Sequence, residues 1–434
     1  MRALLINPWI TDFAAYDLWS KPLGILNIGY YLKELGFEVE LIDCLDKFHQ
    51  QLVKSLNGNL PKTTIYGDGC YLSEEIKKPS VFSDVPRKFK RYGIPLKLFR
   101  KLLENIPYPD VILVTSAMTY WYPGVFEAIG LLKQRFRNTP VILGGIYPTL
   151  CYKHAKKNSG ADFIYKGNNI VEIINIIEKI TNKELDISKL NFKREINYFY
   201  SLYHKVYYIT LRTSGGCPFR CSWCGWYILD DKRWEQAPEE VVQDIEYFYE
   251  TYKIKNFSFY DDCLLYNSQV HIIKILNMLK KKKIKCYFHT PNGLSVKFLT
   301  QKIAFLLKET GFIHPRLSFD TFQKTKEKEF TDAFNYLKKA GFDSKYISVY
   351  TLVGLPSQSI DEIKDCIEFL SNFKIRLYLE EYSPVPYTPD FEKTGLSLES
   401  DPLLHNNTIF PLYRKDYEKF QKLKDLVHTH NRTL

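Results

Sequence analysis

The sequence predicts an α/β protein made of an N-terminal doubly wound parallel sheet of the Rossmann-like type, a partial (β/α)6 barrel and a C-terminal helical extension. Two observations predict this fold class. Short continuous apolar runs alternate with segments of helical periodicity along most of the 434 residues, and the alternation occurs in two series separated by a polar stretch. Continuous apolar strands that alternate with helices imply parallel sheets covered on both faces.

The first series spans residues 1–180 and predicts the doubly wound domain. Its strands are the apolar runs ALLIN, VELID, DVILVTSAM, PVILGGIYP and DFIYKG, with helical segments such as LGILNIGYYLKEL between them. An insertion at about residues 48–109 interrupts the alternation, and a segment of that length in a compact domain is more often functional than idle. Ligands of such sheets bind at the carboxyl ends of the strands, so we expect a site in the loops that follow them.

The second series begins at Tyr207, after a predicted linker over residues 181–206, and continues to residue 389. Six strands alternate with helices in it, from YYITLRTS to RLYLEEYSPVP. Six such units predict an open or partial barrel whose active site lies at the carboxyl ends of its strands. Residues 390–434 form the extension, in which YRKDYEKFQKLKDLVHTH predicts a terminal helix.

The stretch SGGCPFRCSWCGW, directly after the first barrel strand, holds Cys217, Cys221 and Cys224. A structural zinc site needs four ligands, usually in paired sets, whereas Cys263 and Cys286 are isolated in sequence. A four-iron, four-sulfur cluster takes thiolates from short loops, and three thiolates leave one iron open. The spacing therefore favours such a cluster, with a zinc site completed from elsewhere in the chain as the alternative.

Composition excludes several classes of protein. Nine cysteines, an odd number with three of them within eight residues, do not form a disulfide framework. No apolar run approaches the ~18 residues of a membrane span, and the first apolar run breaks at Asn7 and Pro8 too early for a signal peptide. The net charge of +11 is diluted, and its densest run, Leu279 to Lys285, has no RNA-binding motif beside it. We expect a cytoplasmic protein whose partner is not nucleic acid.

The C-x3-C-x2-C spacing, with Trp223 just before the last cysteine, resembles the signature of the radical S-adenosylmethionine (SAM) superfamily. The resemblance implies that Cys217, Cys221 and Cys224 ligate a [4Fe-4S] cluster whose open iron binds SAM. It implies that an electron from the cluster cleaves SAM to a 5′-deoxyadenosyl radical. It also implies a low-potential electron donor of the flavodoxin or ferredoxin type.

The same resemblance implies where SAM is bound. Tyr260, Asp261 and Asp262 follow the second barrel strand, where the family contacts the SAM amino group, although this sequence has YDD where many members have Gly-Gly-Glu. The other cofactor-binding candidates are Trp223 in the cysteine motif and Asn292, Ser318, Asp320 and Glu381 at later strand ends. Asp320 and Glu381 have an alternative role as caps of the helices that follow them.

A doubly wound domain in front of such a barrel resembles the cobalamin-binding class of the superfamily. The resemblance implies a cobalamin whose tail runs past small residues, for which the candidates are Ser116, Gly144, Gly145 and Thr149. The Asp-x-His-x-x-Gly motif that supplies a histidine to cobalt is missing from the sequence. The loop MTYWYPG instead offers Tyr120 or Tyr122 as a cobalt ligand, and packing of these aromatic residues is the alternative.

The resemblance implies a cobalamin-dependent methyltransferase that acts on an unactivated carbon or phosphorus centre of a small-molecule or peptide substrate. One alternative is an oxidoreductase or cyclase of the same class that transfers no methyl group. A second alternative, of a different class, is a non-catalytic iron–sulfur or corrinoid carrier. The substrate itself depends on loops that vary under a shared fold, so the sequence leaves it open.

Overall fold

The computed structural model describes residues 1–192, 200–230, 232–319, 324–409 and 412–434. The chain divides into two compact units, residues 1–206 with 397–405 and residues 207–396 with 406–434. The described residues of the predicted linker, 181–192 and 200–206, thus group with the first unit, as do residues 397–405 of the predicted C-terminal extension. No helix within the described ranges is long and apolar enough to cross a membrane.

The first unit contains the predicted parallel sheet. Its five strands are β1 (Arg2–Asn7), β2 (Glu38–Asp43), β3 (Val111–Val114), β4 (Val141–Leu143) and β5 (Phe163–Ile164). They lie in the order β5-β4-β3-β1-β2, and every pairing is parallel. The doubly wound class is confirmed. The order reverses between β1 and β3, and such a reversal opens the crevice in which ligands of these folds bind.

Helices connect these strands. Those described in the first unit are Leu23–Glu34, Gln50–Ser55, Leu96–Asn105, Tyr122–Arg135, Ile146–Leu150, Tyr152–Asn158 and Ile170–Thr181. The first and last of them bury Leu32 and Ile177 against Leu5 and Leu113 of the sheet in one apolar cluster. Burial of apolar surface at this face holds the domain together.

The insertion folds back onto the start of the chain. Short antiparallel strands join Lys90–Tyr92 to Ile10–Asp12 and to Ser73–Glu75, and another pair joins Tyr16–Asp17 to Gly69–Cys70. Arg91, in this sheet, is nearly buried and forms ion pairs with Glu74 and Glu127. The basic charge of this segment is therefore partly neutralised within the unit.

The second unit contains six parallel strands that alternate with helices, as predicted. They are β6 (Ile209–Leu211), β7 (Asn256–Phe259), β8 (Tyr287–His289), β9 (Arg316–Ser318), β10 (Ser348–Val353) and β11 (Arg376–Glu381). Strands β6, β7 and β8 form one sheet, and β9, β10 and β11 form another with the short strand Leu294–Ser295. A parallel bridge between Phe288 and Phe312 joins β8 to the segment just before β9.

The helices described in the second unit are Trp226–Leu229, Pro238–Thr251, Ile272–Lys282, Gln301–Thr310, Lys324–Lys339, Ile360–Ser371, Pro389–Glu392 and Leu412–Arg432. The last of these is the predicted terminal helix, and it covers the edge strand β11. The Asn431 side chain accepts the N–H of Leu377 at 2.9 Å and donates to its carbonyl at 2.8 Å. An exposed strand edge invites pairing with another chain, so these bonds close it.

Candidate functional site

The cysteine loop, residues 214–226, starts directly after β6. Ser214 and Gly215 pair with Glu235 and Trp234 in a short antiparallel ladder. A Cβ on Gly215 would lie 2.2 Å from the Trp234 ring nitrogen, so only glycine allows this approach. Gly216 has a φ of +84°, a left-handed conformation that glycine adopts at no steric cost. The two glycines therefore shape the turn into the first cysteine.

Residues 260–263, which follow β7, run alongside the start of this loop. The Tyr260 N–H donates to the Leu211 carbonyl at 2.7 Å, which extends the pairing of β6 and β7. Asp261 then accepts the Thr213 hydroxyl at 2.7 Å and the Ser214 hydroxyl at 2.6 Å through one carboxylate oxygen. Successive residues after β7 thus contact successive residues after β6.

Asp262 continues this arrangement one step further. Its Oδ2 accepts the backbone N–H of Gly216 at 2.8 Å and the guanidinium of Arg212 at 2.9 Å. Asp261 is 3% exposed, and burial raises its pKa above the usual range of a carboxyl. The two carboxylates predicted to meet the SAM amino group are thus engaged in holding the cysteine loop.

Later in the cysteine loop, Ser222 is hydrogen-bonded to the segment that follows β11. Ser222 donates its hydroxyl to Asp390 at 2.6 Å, and its carbonyl accepts the Asp390 N–H at 3.0 Å. The Trp226 ring donates to the Phe219 carbonyl at 2.9 Å within the loop. A loop held at both ends loses little conformational freedom when its thiolates bind a ligand.

The three thiols of the loop are partly accessible, and none of the nine cysteines forms a disulfide. Contact with the thiol of Cys263 is the main cause that lowers the pKa of Cys217 to about 7, and Arg233 contributes in the same direction. A lowered pKa favours the thiolate, the form that binds iron. The donor set of three partly accessible cysteines therefore fits an iron–sulfur cluster.

Within the described ranges, no three His, Cys, Asp or Glu side chains converge so closely that they could hold one metal ion together. The thiolates of a cubane bind different irons, so its ligands need no common point.

Among the remaining SAM candidates, Asn292, Ser318 and Glu381 lie at or just after the carboxyl ends of their strands. Asn292 donates to the Asp261 carbonyl at 3.2 Å, and the Ser318 hydroxyl donates to the Leu294 carbonyl at 3.4 Å. Trp223 is partly exposed within the cysteine loop. Asp320 lies outside the described residues. Glu381 forms an ion pair with Lys424 of the terminal helix.

Strand register separates the inner face of the second sheet from its helix-covered face. Leu317, Val349 and Leu377 are aligned across β9, β10 and β11 and are buried. The neighbouring positions, Ser318, Tyr350 and Tyr378, are also aligned with each other and are more accessible. Side chains alternate between the faces of a strand, so the accessible set lines the interior of the partial barrel.

Sequence reasoning missed Glu380, which lies on this accessible face. It pairs in register with Leu352 and lies two residues beyond Tyr378 toward the carboxyl end of β11, so both side chains face the same side of the strand. Burial raises its pKa to about 7, and the neighbouring charge of Glu381 adds to the shift, while Arg316 opposes it. The Glu380 side chain is reached by solvent, yet its carboxyl group is strongly desolvated by its surroundings, which is the situation of a group that lines a cavity. Alternation along RLYLEE could have revealed it, since adjacent glutamates must face opposite sides.

The carboxyl edge of the first sheet gathers the four small residues predicted there. Ser116 donates its hydroxyl to the Gly144 carbonyl at 2.9 Å, and Thr149 donates to the Gly145 carbonyl at 2.8 Å. Gly145 has a φ of +100°, and a Cβ on it would lie 2.3 Å from the Ser116 carbonyl. A Cβ on Gly144 would meet nothing closer than Tyr165 at 3.8 Å. Packing therefore requires glycine at 145, whereas a Cβ at 144 would make only an ordinary contact with Tyr165.

The loop after β3 has a buried part and an exposed part. Tyr120 is buried, whereas Met118 is 44% exposed. The Tyr122 phenol donates to Asp401 at 3.0 Å, and burial together with that carboxylate raises the pKa of Tyr122. Both proposed tyrosine ligands of cobalt are thus placed in packing or hydrogen-bonding roles.

Residues 397–405, from the C-terminal part of the chain, cover this loop. Besides Asp401, this segment contributes His405, whose Nδ1 lies 3.0 Å from the Thr119 hydroxyl. Glu399 forms an ion pair with Lys153. No local pattern predicts these contacts, because they join residues more than two hundred positions apart.

Residues 211–370, from the end of β6 to the helix Ile360–Ser371, match the family model described as the Radical SAM superfamily. The matched segment contains the three-cysteine loop and runs through the parallel strands β7 to β10. Residues 211–370 are thus a radical SAM region. The family implies a [4Fe-4S] cluster and SAM as its cofactors.

Curated relatives are distant. The chain is 22% identical to an anaerobic magnesium-protoporphyrin IX monomethyl ester cyclase of Cereibacter sphaeroides, over 99% of this chain and 71% of the relative. It is 22% identical to the protein of the same name from Synechocystis, over 36% of this chain and 37% of the relative. It is 24% identical to an uncharacterized methyltransferase of Pyrococcus horikoshii, over 38% of this chain and 36% of the relative. The chain thus matches little more than a third of the length of two of them.

Two solved structures share the fold over most of the chain. Both are of the radical SAM methyltransferase TsrM from Kitasatospora setae. The structure with tryptophan and a SAM analogue has a TM-score of 0.64, 12% identity, and coverage of 90% of this chain and 74% of that one. The structure with cobalamin and a [4Fe-4S] cluster has a TM-score of 0.62, 13% identity, and coverage of 90% and 76%. At these identities the likeness concerns the fold.

Proposed function

We propose that the protein is a cobalamin-dependent radical SAM methyltransferase that acts on an unactivated carbon or phosphorus centre. The observation that carries the proposal is the presence in one chain of two elements. One is the three-cysteine loop of the barrel, held by the bond between Asp262 and Gly216, and the other is a doubly wound sheet with the small residues Ser116, Gly144 and Gly145 at its carboxyl edge. The fold likeness to TsrM, whose structure contains cobalamin, supports it.

In the barrel unit, Cys217, Cys221 and Cys224 would hold the [4Fe-4S] cluster. When bound, the cluster supplies the electron that cleaves SAM. The chain contributes a fixed loop, through the bonds of Asp262 to Gly216 and of Asp390 to Ser222. A low-potential flavodoxin- or ferredoxin-type protein is the proposed reductant.

The inner face of the barrel would receive SAM and the substrate. Arg316 donates to the Tyr350 phenol, and the Tyr350 and Tyr378 rings lie 5.7 Å apart. Trp223, Tyr260, Asn292 and Ser318 remain our candidates for contacts with SAM. Aromatic walls with few polar groups are typical of small-molecule sites, and they keep water from a reactive radical. A small molecule or a peptide segment would fit such a face.

In the first unit, the groups present fit a corrinoid. Gly144 leaves room for close approach, and Met118 and Ile146 expose apolar surface at the ends of β3 and β4. When bound, cobalamin supplies the methyl group to the substrate. Ser116, Gly145 and Thr149 would shape the floor of this site through their mutual hydrogen bonds and close packing.

A second candidate function is a cobalamin-class radical SAM cyclase without methyl transfer. The observation that favours it is the relative named a magnesium-protoporphyrin IX monomethyl ester cyclase, which aligns with 99% of this chain. The two functions share the cluster, SAM and the corrinoid and differ in the fate of the SAM methyl group.

The test is anaerobic reconstitution with iron, sulfide and cobalamin, followed by incubation with SAM that carries a deuterated methyl group. A methyltransferase delivers the label to the corrinoid fraction and to products in an extract, and mass spectrometry detects both. A cyclase cleaves SAM to 5′-deoxyadenosine and methionine, so the label remains on methionine and reaches neither the corrinoid nor a product. Cys221→Ala, which removes one proposed cluster ligand, is the matched negative control.

A further inference from the structure

The side-by-side segments 211–217 and 260–263 end on a pair of sulfur atoms. Tyr260 contacts Leu211, Asp261 contacts Thr213 and Ser214, and Asp262 contacts Gly216, so the next step brings the thiol of Cys263 beside that of Cys217, whose pKa it lowers. In sequence, Cys263 stands isolated from the cysteine motif. The preceding contacts bring it to the first cysteine of the motif, so its position is a built feature of the fold.

The chemistry of the pair fixes which sulfur donates. A thiol has a weak S–H donor and a weak acceptor, and a cluster ligand is a thiolate without a proton. With Cys217 bound to iron, only Cys263 can supply the hydrogen. Cys263 is 9% exposed and is followed by the buried residues Leu264 and Leu265, so water has little access to replace it.

We infer that Cys263 is a positioning residue that donates an S–H hydrogen bond to the Cys217 ligand sulfur and thereby raises the reduction potential of the cluster. A donor at a ligand sulfur stabilises the extra negative charge of the reduced cluster more than that of the oxidised one. The inference rests on the proposed cluster at Cys217, Cys221 and Cys224. It assigns Cys263 no bond to iron, so one iron stays open for SAM.

The test is a redox titration of the reconstituted holoprotein monitored by electron paramagnetic resonance (EPR). Cys263→Ala removes the donor, and we expect a midpoint potential more negative than that of the wild type at equal iron content. Cys263→Ser keeps a hydroxyl donor and should fall between the two. The matched control is Cys286→Ala, which removes a buried thiol at the amino end of β8 and should leave the potential unchanged.

Three results would count against the inference, and they are distinguishable. An unchanged potential in a fully loaded Cys263→Ala protein rules out the hydrogen bond as a determinant of potential. If an iron of the cluster is accessible to SAM in Cys263→Ala but not in the wild type, Cys263 is a ligand of that iron and the inference is wrong. If the wild type takes up no cluster, the proposed cluster itself fails. Should Cys263→Ala load poorly, Cys263→Ser provides the comparison.

Discussion

The Oδ2 atom of Asp262 accepts the backbone N–H of Gly216 at 2.8 Å. This bond connects the end of β7 to the residue immediately before the first cysteine of the loop. The same oxygen binds Arg212, which lies at the end of β6. The loop is thereby fixed by the sheet before any cofactor binds, and a preorganised ligand set binds more tightly than a flexible one.

Asp262→Ala should therefore weaken cluster binding without touching a cysteine. Two charge-assisted hydrogen bonds are lost, which at a partly exposed site should cost about 1–2 kcal/mol. Iron and sulfide analysis after anaerobic reconstitution should show reduced loading. Asp365→Ala, at an exposed position of the helix Ile360–Ser371, is the control and should load normally. Equal loading of both variants would show that the bond to Gly216 is dispensable.

Alanine at Gly144 and at Gly145 should have opposite effects. Gly145→Ala places a methyl group 2.3 Å from a backbone oxygen at a φ of +100°, so we expect a loss of about 1–3 kcal/mol in the free energy of unfolding. Gly144→Ala meets only Tyr165 at 3.8 Å, so stability should change by less than about 0.5 kcal/mol.

Corrinoid binding separates the two variants further. Gly144→Ala adds a methyl group where the corrinoid is proposed to approach the backbone, so the affinity for cobalamin, followed by the corrinoid absorption, should fall although the fold is intact. Normal cobalamin binding by a stable Gly144→Ala protein would remove Gly144 from the proposed site.

Tyr122→Phe tests whether Tyr122 is a ligand of cobalt. The Tyr122 phenol donates a hydrogen bond to Asp401, and its raised pKa disfavours the phenolate form, which is the form that binds a metal. We expect the EPR spectrum of bound cob(II)alamin to be the same in Tyr122→Phe and in the wild type. Loss of the hydrogen bond should lower stability by about 1 kcal/mol. A changed axial-ligand signature in the variant would restore Tyr122 as a cobalt ligand.

Glu380→Gln should change the pH dependence of stability. The folded-state pKa of Glu380 is raised from 4.5 to about 7, so its favourable contribution is complete below pH 4.5 and is lost as pH rises to about 7. The melting temperature of Glu380→Gln relative to the wild type should therefore increase across this interval by a few degrees.

The adjacent glutamate provides the control. Glu381→Gln removes the ion pair with Lys424 on the other face of β11, so it should lower stability and not raise it. If the melting temperature relative to the wild type changed with pH in the same way in both variants, the placement of Glu380 in a cavity would be contradicted.

Local pattern was enough to predict most of the fold. Continuous apolar runs such as VILV in β3 form buried strands, and the spacing of the three cysteines predicts their chemistry. What could not be predicted depends on residues far apart in sequence. The bond between Tyr122 and Asp401 and the contact between Cys217 and Cys263 arise only when the chain has folded. Glu381 was selected and Glu380 missed because the register that decides which of them faces inward is a property of the whole sheet.

A cluster held by Cys217, Cys221 and Cys224 leaves one iron open to SAM. The EPR spectrum of the anaerobically reconstituted and reduced protein, recorded before and after SAM is added, tests this arrangement. We expect roughly four irons per chain and a spectrum that changes when SAM binds. Zinc in place of iron at Cys217, Cys221 and Cys224, or a cluster spectrum that SAM leaves unchanged, would contradict it.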